Sequence, residues 1–287
     1  MQTLNTAKQG QTATKVARLG QINFINSLPV VVPLLRQVND LQARIVLGTP
    51  SELNRLYAEN KLDLGAMSSF FYLKSNLPEP TMTLIKGLSI SSIGAVGSVL
   101  FFSKRKLSDL KDAKIAVPQS SATSINLLHV LLQEEFGITA TFVAAQKPDL
   151  KDDEIDAALV IGDRALSVDE EWSHRYLRVD MGEWWYRNYR LPMTFGVWAA
   201  RNDWAAAHEN TFEELSVVLK RSAEIGLTSG LPDVIAESMA RLAFSQQRLQ
   251  RYFLRELNFD FSQEHERGLL LYRDLCLKHR LLTDRVR

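Results

Sequence analysis

Short apolar runs alternate with segments of helical periodicity through much of this chain. Six of the runs have the length and the β-branched or aromatic content of strands. They are "ARLGQINF" (17–24), "ARIVLG" (43–48), "LDLGAM" (62–67), "KIAVP" (114–118), "ATFVAA" (140–145) and "DAALVIG" (156–162). Each is followed by a turn rich in Ser, Thr, Asn or Gly and then by a helical pattern. This alternation predicts βα units on a parallel sheet.

One turn carries a complete set of helix-start signals. In "VLGTPSELNRLYAEN", Thr49 is a suitable N-cap, Pro50 occupies the first helical position, and Glu52 completes a capping box. Downstream of residue 200 the pattern becomes helical throughout. Apolar residues recur there at helix spacing, as at Phe212, Leu215, Leu219, Leu257, Phe261, Leu269 and Leu270.

Two long extended segments interrupt the alternation. The first spans residues 84–102 and has small residues in its middle, and the second spans residues 192–200. A chain that leaves one domain, builds a second and returns would show this division into thirds. We therefore predict an α/β protein with two lobes and a cleft between them. Residues 17–103 plus 196–287 form lobe 1 in this prediction, and residues 104–195 form lobe 2.

Composition narrows the classes of function. The 287 residues are 46% hydrophobic and 23% charged, and the formal net charge of +1 gives no footprint of a nucleic-acid binder. Cys276 is the only cysteine, which excludes an intramolecular disulfide and a cysteine-based metal cluster. The polar residues 1–16 are expected to be a mobile tail without a targeting signal. No apolar run is long enough to span a membrane, so a cytoplasmic protein without membrane or nucleic-acid partners is expected.

The loops that follow the predicted strands are rich in hydroxyls and amides. In open parallel α/β sheets, ligands bind beyond the carboxyl ends of the strands, where loops lead into helix N-termini. The polar residues in these loops are Asn26 and Ser27, Thr49 and Ser51, Ser68 and Ser69, and those of "PQSSATS" (118–124). The cleft is therefore predicted to bind a small polar or anionic molecule.

The start of the long middle-domain helix is the best anion site in the sequence. Backbone N–H groups of Ser121, Ala122 and Thr123 would point outward, and the helix dipole favours negative charge there. The alternative is that one serine caps the helix and the others are solvated. Two further positions stand out. Ser27 is placed to cap the helix before Pro29, which frees the Asn26 amide for a ligand, and Ser98 lies in the glycine-flanked segment "GAVGSV".

Familiar catalytic constellations do not occur in this sequence. It contains no G-x-G-x-x-G, P-loop, G-x-S-x-G or H-E-x-x-H motif. The histidines are scattered outside the strand-end loops, at positions His129, His174, His208, His265 and His279. No metal site or histidine-based triad is therefore predicted. Asp163, at the end of "VIGD", is the only carboxylate at a predicted strand end of the middle lobe, and capping of the next helix is its structural alternative.

The motifs taken together resemble those of the chorismate dehydratase family of the futalosine route to menaquinone. The stretches that carry the resemblance are "RLGQINFINSLP", "GTPSELNRLYAENKLDLGAMSS", "LSISSIGAVGSVLFFS", "IAVPQSSATSINLL", "ALVIGD" and "LPMTFGVWAAR". They follow in order over nearly the whole chain. The resemblance implies a type II periplasmic-binding-protein-like fold and an enzyme that needs no cofactor. It also implies the conversion of chorismate to 3-[(1-carboxyvinyl)oxy]benzoate and water.

The resemblance also assigns roles to residues. Asn26 and Ser98 match the family's essential positions, and Ser121, Ala122 and Thr123 match its helix start. Ser68, Ser69 and Asp163 are further candidates for substrate binding. Because the matched loops offer no histidine or lysine, we expect the enolpyruvyl carboxylate of chorismate to take the proton, with Asp163 as the alternative base.

One position departs from the family pattern, because "RNYRLP" places Arg190 where a glycine is usual. A cation there could reshape a cleft wall or contact a carboxylate. Two alternatives remain open at this point. The chain could be a non-catalytic cytoplasmic solute-binding protein for a small carboxylate. It could also be the related naphthoate-forming lyase, whose pattern includes a cleft histidine that this sequence lacks.

Overall fold

The strands form two separate sheets. The computed structural model describes residues 16–36 and 43–282, so the predicted tail lies outside the described residues except for Val16. The strands are β1 (Ala17–Ile22), β2 (Ala43–Gly48), β3 (Leu64–Ser68), β4 (Met82–Ser92), β5 (Val99–Ser103), β6 (Lys114–Pro118), β7 (Thr141–Ala145), β8 (Ala157–Ile161), β9 (Leu177–Asp180) and β10 (Met193–Arg201). The first sheet has the order β2-β1-β3-β10-β4 and the second β7-β6-β8-β5-β9. The predicted α/β fold with two lobes, one on each sheet, is confirmed.

Helices cover both sheets and dominate the C-terminal third. They are α1 (Leu28–Arg36), α2 (Pro50–Ala58), α3 (Ser69–Ser75), α4 (Ala122–Phe136), α5 (Gly162–Ser173), α6 (Met181–Tyr189), α7 (Asn202–Ala207), α8 (Glu209–Leu227), α9 (Leu231–Arg241), α10 (Gln246–Arg251) and α11 (Gln263–Lys278). A 3-10 turn, Ile25–Ser27, precedes α1, and a π-helical turn, Tyr252–Glu256, extends α10. In the part of the chain that the structure describes, none of the helices is both long and apolar enough to cross a membrane.

The six predicted strands are present, but the sheets are mixed rather than parallel. β1 is parallel to β2 and β3, and β6 is parallel to β7 and β8. β10 is antiparallel to β3 and β4, and β5 is antiparallel to β8 and β9. The crossings between lobes explain this difference. Strands β1 to β3 run towards the other lobe, whereas β10 begins at the crossing and runs away from it.

The chain changes sheet between Ser92 and Val99 and returns between Tyr189 and Met193. The predicted boundaries, 103 and 196, lie C-terminal to these points. As a result, β5 was assigned to lobe 1 in the prediction, whereas the structure places it in the second sheet. Residues 84–102, predicted as one extended segment, comprise parts of two strands from different sheets and the glycine-containing loop that joins them.

The prediction of helix across residues 257–262 is wrong. This segment is extended and pairs with β4, because Ser89 and Ser91 donate their backbone N–H groups to the carbonyls of Phe259 and Asn258, both at 2.9 Å. The Asn258 N–H returns a bond of 2.8 Å to the Ser91 carbonyl. β4 is the edge strand of the first sheet, and its unpaired backbone groups gain partners in this way.

Of the two predicted helix N-caps, Thr49 and Ser27, the structure confirms one. The Thr49 capping box is confirmed: the Glu52 carboxylate accepts from the Thr49 N–H at 2.7 Å, and the Thr49 hydroxyl accepts from the Glu52 N–H at 3.4 Å. Ser27 does not act as the expected N-cap. Its hydroxyl donates instead to the carbonyl oxygens of Ile22 and Phe24, which ties the first turn back onto the end of β1.

The two lobes share buried contacts next to the cleft. α3 of the first lobe packs on α4 of the second, and α11 packs on both. The Tyr272 hydroxyl of α11 donates to the Thr123 carbonyl at 2.9 Å, and the Phe70 N–H donates to the Thr123 hydroxyl at 3.0 Å. One hydrophobic core runs through both sheets beneath these contacts. The loops at the strand ends are therefore held facing each other.

Candidate active site

A pocket lies between the lobes where the strand-end loops meet. Its empty volume is about 570 Å³, a figure that includes open solvent at the mouth. It is lined by Ile22, Phe24, Asn26, Pro50, Ser68, Ile90, Val96, Ser98, Val99, Ser121, Ser124, Ile161, Gly162, Phe195, Gly196 and Leu257. Residues from five strand-to-helix joints, the first crossing and β10 thus converge on one cavity.

Asn26 is the most conspicuous polar group in the pocket. It lies in the 3-10 turn between β1 and α1, and the two bonds of the Ser27 hydroxyl fix this turn. The Asn26 Oδ1 atom is buried and finds no hydrogen-bond partner among the described residues. Since a buried acceptor without a partner is costly, this oxygen is available to a donor that enters the pocket.

The turn that carries Asn26 is also held from the other lobe. Asp163, in the first turn of α5, accepts a hydrogen bond from the Ile25 N–H at 3.2 Å. Burial raises the pKa of the Asp163 carboxyl above its ordinary value, although the Ile25 bond opposes this effect. Asp163 therefore joins the lobes at the rim of the site, and its neighbour Gly162 lines the pocket.

Ser98 lies in the first crossing and is almost fully buried. Its Oγ accepts a hydrogen bond of 2.9 Å from the Tyr252 hydroxyl, while its own nearest acceptor, the Val96 carbonyl, is 3.4 Å away. The Asp180 carboxylate accepts from the N–H groups of Val96 and Gly97 at 3.0 and 2.8 Å. The loop that presents Ser98 is thus fixed from two sides.

The N-terminus of α4 forms another wall. Ser121 is the N-cap: its Oγ accepts from the Ser124 N–H at 3.4 Å and donates to the Ser124 hydroxyl at 2.8 Å. Because the Ser124 oxygen accepts this bond, its own hydrogen is free to point into the pocket that it lines. Ala122 and Thr123 occupy the next positions, where backbone N–H groups have no intrahelical partner.

Ser68 presents its hydroxyl in the same way. Its Oγ accepts from the Phe71 N–H and from the Asn54 side chain, both at 3.2 Å. With both acceptor positions occupied, the Ser68 hydrogen is available for donation to a ligand. The adjacent Ser69 is completely buried, and its hydroxyl has no partner within the described part of the chain.

The polarity of the pocket is therefore uneven. Ser68, Ser98 and Ser124 offer hydrogens, the starts of α3, α4 and α5 add positive dipole ends, and Asn26 offers one free acceptor. No charged side chain is among the lining residues that the structure describes. Phe24, Phe195 and several aliphatic side chains complete an apolar wall. Such a cavity suits a small anion that also carries a ring and a hydroxyl.

The structure brings together part of the predicted site. Asn26, Ser98, Ser68 and Ser121 line the pocket, whereas Ser69, Ala122, Thr123 and Asp163 are not among its described lining residues. Sequence reasoning did not single out Ser124 or Tyr252. Ser124 belongs to the quoted hydroxyl-rich motif and could have been found there. Tyr252 lies in a helical segment without any local signal of a site.

Arg190 does not shape the cleft wall. It is exposed, ends α6 with the left-handed backbone angles φ 55° and ψ 28°, and places its guanidinium 5.9 Å from the Tyr186 ring centre. A glycine adopts this conformation without steric cost, which explains why a glycine suits this position. Arg190 is absent from the described pocket lining, so the substitution changes a helix end and not the site.

Across residues 16–36 and 43–282, no three His, Cys, Asp or Glu side chains are grouped as a metal site would require. The side chains of the described pocket lining that can form hydrogen bonds are the amide of Asn26 and the hydroxyls of Ser68, Ser98, Ser121 and Ser124.

The chain has a two-lobed, periplasmic-binding-protein-like fold with a pocket between its lobes. Comparison with known proteins narrows this class. The family model for menaquinone biosynthesis matches residues 17–278, and the chain belongs to that family. The chorismate dehydratase of Thermus thermophilus is 32% identical over 174 residues, which are 56% of this chain and 62% of that relative. The match thus spans about three fifths of the relative's length.

Solved structures agree on the fold. A protein of Archaeoglobus fulgidus superposes with a TM-score of 0.73 at 17% identity, covering 94% of this chain and all of that one. The alkanesulfonate-binding protein SsuA of Xanthomonas axonopodis pv. citri has a TM-score of 0.66 at 14% identity, covering 94% and 95% of the two chains. A Candida albicans protein described as having the generic periplasmic binding protein fold has a TM-score of 0.62 at 12% identity and covers 93% and 95%. These likenesses establish the two-lobed architecture.

Proposed function

We propose that this protein is a chorismate dehydratase, which converts chorismate to 3-[(1-carboxyvinyl)oxy]benzoate and water. Membership of the menaquinone-biosynthesis family and the similarity to the Thermus thermophilus enzyme support this reaction class. The observation that carries the proposal is the pocket itself. It combines one unpaired buried acceptor, Asn26 Oδ1, with hydroxyl donors and helix N-termini.

Chorismate matches this combination of groups. Its two carboxylates need donors, which Ser68, Ser124 and the N-terminus of α4 offer without a charged side chain. Its ring hydroxyl needs an acceptor, and Asn26 Oδ1 supplies one. Its cyclohexadiene ring needs an apolar wall, which Phe24 and Phe195 provide. Uncharged donors fixed in place before binding require little reorganisation as charge shifts in the transition state.

The reaction itself is a 1,2-elimination. The ring C3–H and C4–O bonds break and a C3–C4 double bond forms. The base that takes the C3 proton passes it to the departing hydroxyl, which leaves as water. Gain of aromaticity drives the step, so the protein mainly positions the ring and stabilises the departing oxygen. In our proposal Asn26 orients the C4 hydroxyl and Ser98 donates a hydrogen bond to its oxygen as the bond breaks.

The proton acceptor in this proposal is the enolpyruvyl carboxylate of the substrate. None of the lining side chains that the structure describes is a carboxylate, histidine or lysine, which supports a base supplied by chorismate. Asp163, the other candidate, uses one carboxylate oxygen to hold the Ile25 N–H. It remains the alternative base.

The test is incubation of the purified protein with chorismate while the ultraviolet spectrum is followed, since the product is aromatic. Asn26→Ala and Ser98→Ala should each lower kcat by about 100-fold or more, in the range lost with one transition-state hydrogen bond. Asn23→Ala is the matched control, because Asn23 lies in the same joint but bonds Arg241 and does not line the pocket. Wild-type turnover in both site variants would contradict the assigned roles.

A second function is a solute-binding protein for a small carboxylate. The fold shared with the alkanesulfonate-binding protein favours this alternative. The same incubation separates the two candidates. Binding of chorismate without any spectral change, measured by calorimetry on the same sample, would support the binding protein and reject the dehydratase.

A further inference from the structure

Among the described residues, Tyr252 is the one group outside the pocket lining that forms a hydrogen bond with a proposed catalytic side chain. It is completely buried at the start of the π-helical turn, 154 residues from Ser98 in the chain. Its hydroxyl lies 2.9 Å from Ser98 Oγ, an ordinary length for a bond between hydroxyls. A π-helical turn inside a helix is uncommon and occurs frequently at functional sites. Here it directs a tyrosine at the first crossing.

The direction of this hydrogen bond follows from the chemistry of the two groups. Burial raises the pKa of the Tyr252 hydroxyl above its ordinary value, so the phenol keeps its proton. It can therefore serve as the donor, and Ser98 Oγ accepts. Among the described residues, the Val96 carbonyl at 3.4 Å is then the only acceptor for the hydrogen of Ser98, and this long bond competes weakly with a ligand acceptor. A serine oxygen that accepts one strong bond is also a better donor through its own hydrogen.

The segment around Tyr252 is anchored to the same crossing. Glu256, at the end of the π-helical turn, pairs with Arg248 at 3.0 Å and with Arg251 at 3.2 Å. A side chain at position 97 would collide with the Glu256 carboxylate, so Gly97 lets the turn and the loop approach closely. The spacing between Tyr252 and Ser98 is thus fixed by neighbours on both sides.

We propose that Tyr252 is a positioning residue of the dehydration, whose hydroxyl binds Ser98 Oγ and directs the hydrogen of Ser98 to the departing oxygen of the substrate. This proposal rests on the proposed function for its effect on turnover. The contact between the two hydroxyls can be tested without any substrate.

The kinetic test is a double-mutant cycle with Tyr252→Phe, which keeps the ring and removes only the hydroxyl. We expect kcat to fall about tenfold, as for loss of one neutral hydrogen bond, with KM within twofold of wild type. In a Ser98→Ala background the same change should have no further effect on kcat. Tyr176→Phe, which removes a tyrosine hydroxyl in lobe 2 outside the pocket, is the control and should leave kcat unchanged. Equal losses in both backgrounds would overturn the proposal and indicate a purely structural role.

The substrate-free test places a thiol at the serine position. Ser98→Cys is made together with Cys276→Ala, which removes the chain's only cysteine, and the rate of alkylation by iodoacetamide is followed against pH. A tyrosine that donates to the sulfur stabilises the thiolate. Adding Tyr252→Phe should therefore raise the thiol pKa by about one unit and slow alkylation at pH 7 about tenfold. An unchanged profile would overturn the contact.

The two measurements separate the two proposals. If the wild-type protein does not dehydrate chorismate, the proposed function fails, whatever the thiol shows. If it does dehydrate chorismate but neither the cycle nor the thiol profile responds to Tyr252→Phe, the role of Tyr252 fails while the function stands.

Discussion

Substitutions of Asp163 distinguish a catalytic role of its carboxylate from a structural role, which is the hydrogen bond that it accepts from the Ile25 N–H. This bond joins the lobes at 3.2 Å beside the turn that carries Asn26. In Asp163→Asn the amide oxygen can still accept from Ile25, whereas the charge and the basicity are lost. If chorismate supplies its own base, kcat of this variant should stay within about threefold of wild type.

The comparison variant is Asp163→Leu, which removes the acceptor. It leaves the Ile25 N–H without a partner, and an unsatisfied buried donor costs about 1–3 kcal/mol. The urea midpoint of unfolding should therefore fall for Asp163→Leu and not for Asp163→Asn. Turnover of Asp163→Leu should fall as well, because the turn that holds Asn26 loses its contact with the second lobe.

The pH dependence of stability gives a further check on Asp163. Its pKa is raised in the folded protein by burial, so its contribution to stability is complete below the ordinary carboxyl pKa and is lost as the pH rises through the raised value. Asp163→Asn does not titrate. Relative to this variant, the wild-type protein should thus lose stability as the pH rises from about 4.

The result that refutes this reasoning is specific. If Asp163→Asn abolished turnover while chorismate still bound, the proton acceptor would be Asp163, and the substrate-assisted mechanism would be wrong. Calorimetric titration with chorismate supplies the binding measurement, and the chorismate spectral assay supplies the turnover.

Three further predictions concern single positions. Asn26→Asp should lower kcat/KM for the dianionic chorismate at pH 8 about 100-fold or more, because the new carboxylate repels the substrate in a pocket without other charges. Activity should recover as the pH falls and the carboxyl group that replaces the amide becomes neutral, and a loss independent of pH would contradict this reasoning. Thr123→Val should lower the free energy of unfolding by about 1–3 kcal/mol, measured in urea, because the Phe70 N–H loses its acceptor, and Thr123→Ser should lose less. Arg190→Gly should leave KM unchanged and the free energy of unfolding within about 1 kcal/mol of wild type. Relief of the strain of the left-handed backbone offsets the conformational entropy of glycine and the lost contact with Tyr186. A changed KM would show that Arg190 contributes to the cleft.

Features that depend on near neighbours in the chain could be predicted from the sequence. The Thr49 capping box spans three residues, and the six strands were visible as short apolar runs. The polar joints also followed from local order, since a strand that leads into a helix must present its loop at the sheet edge. Those joints include Asn26, Ser68 and Ser121, which line the pocket.

Contacts between residues far apart in the chain could not be predicted in this way. Ser27 had the local pattern of an N-cap, yet its hydroxyl donates to the carbonyl oxygens of Ile22 and Phe24. Asp163 looked like a cap for its own helix, and it bonds Ile25, 138 residues away. The bond between Tyr252 and Ser98 spans 154 residues. Such pairs leave no periodicity in the chain, because their partners are brought together by the crossings between lobes and by core packing.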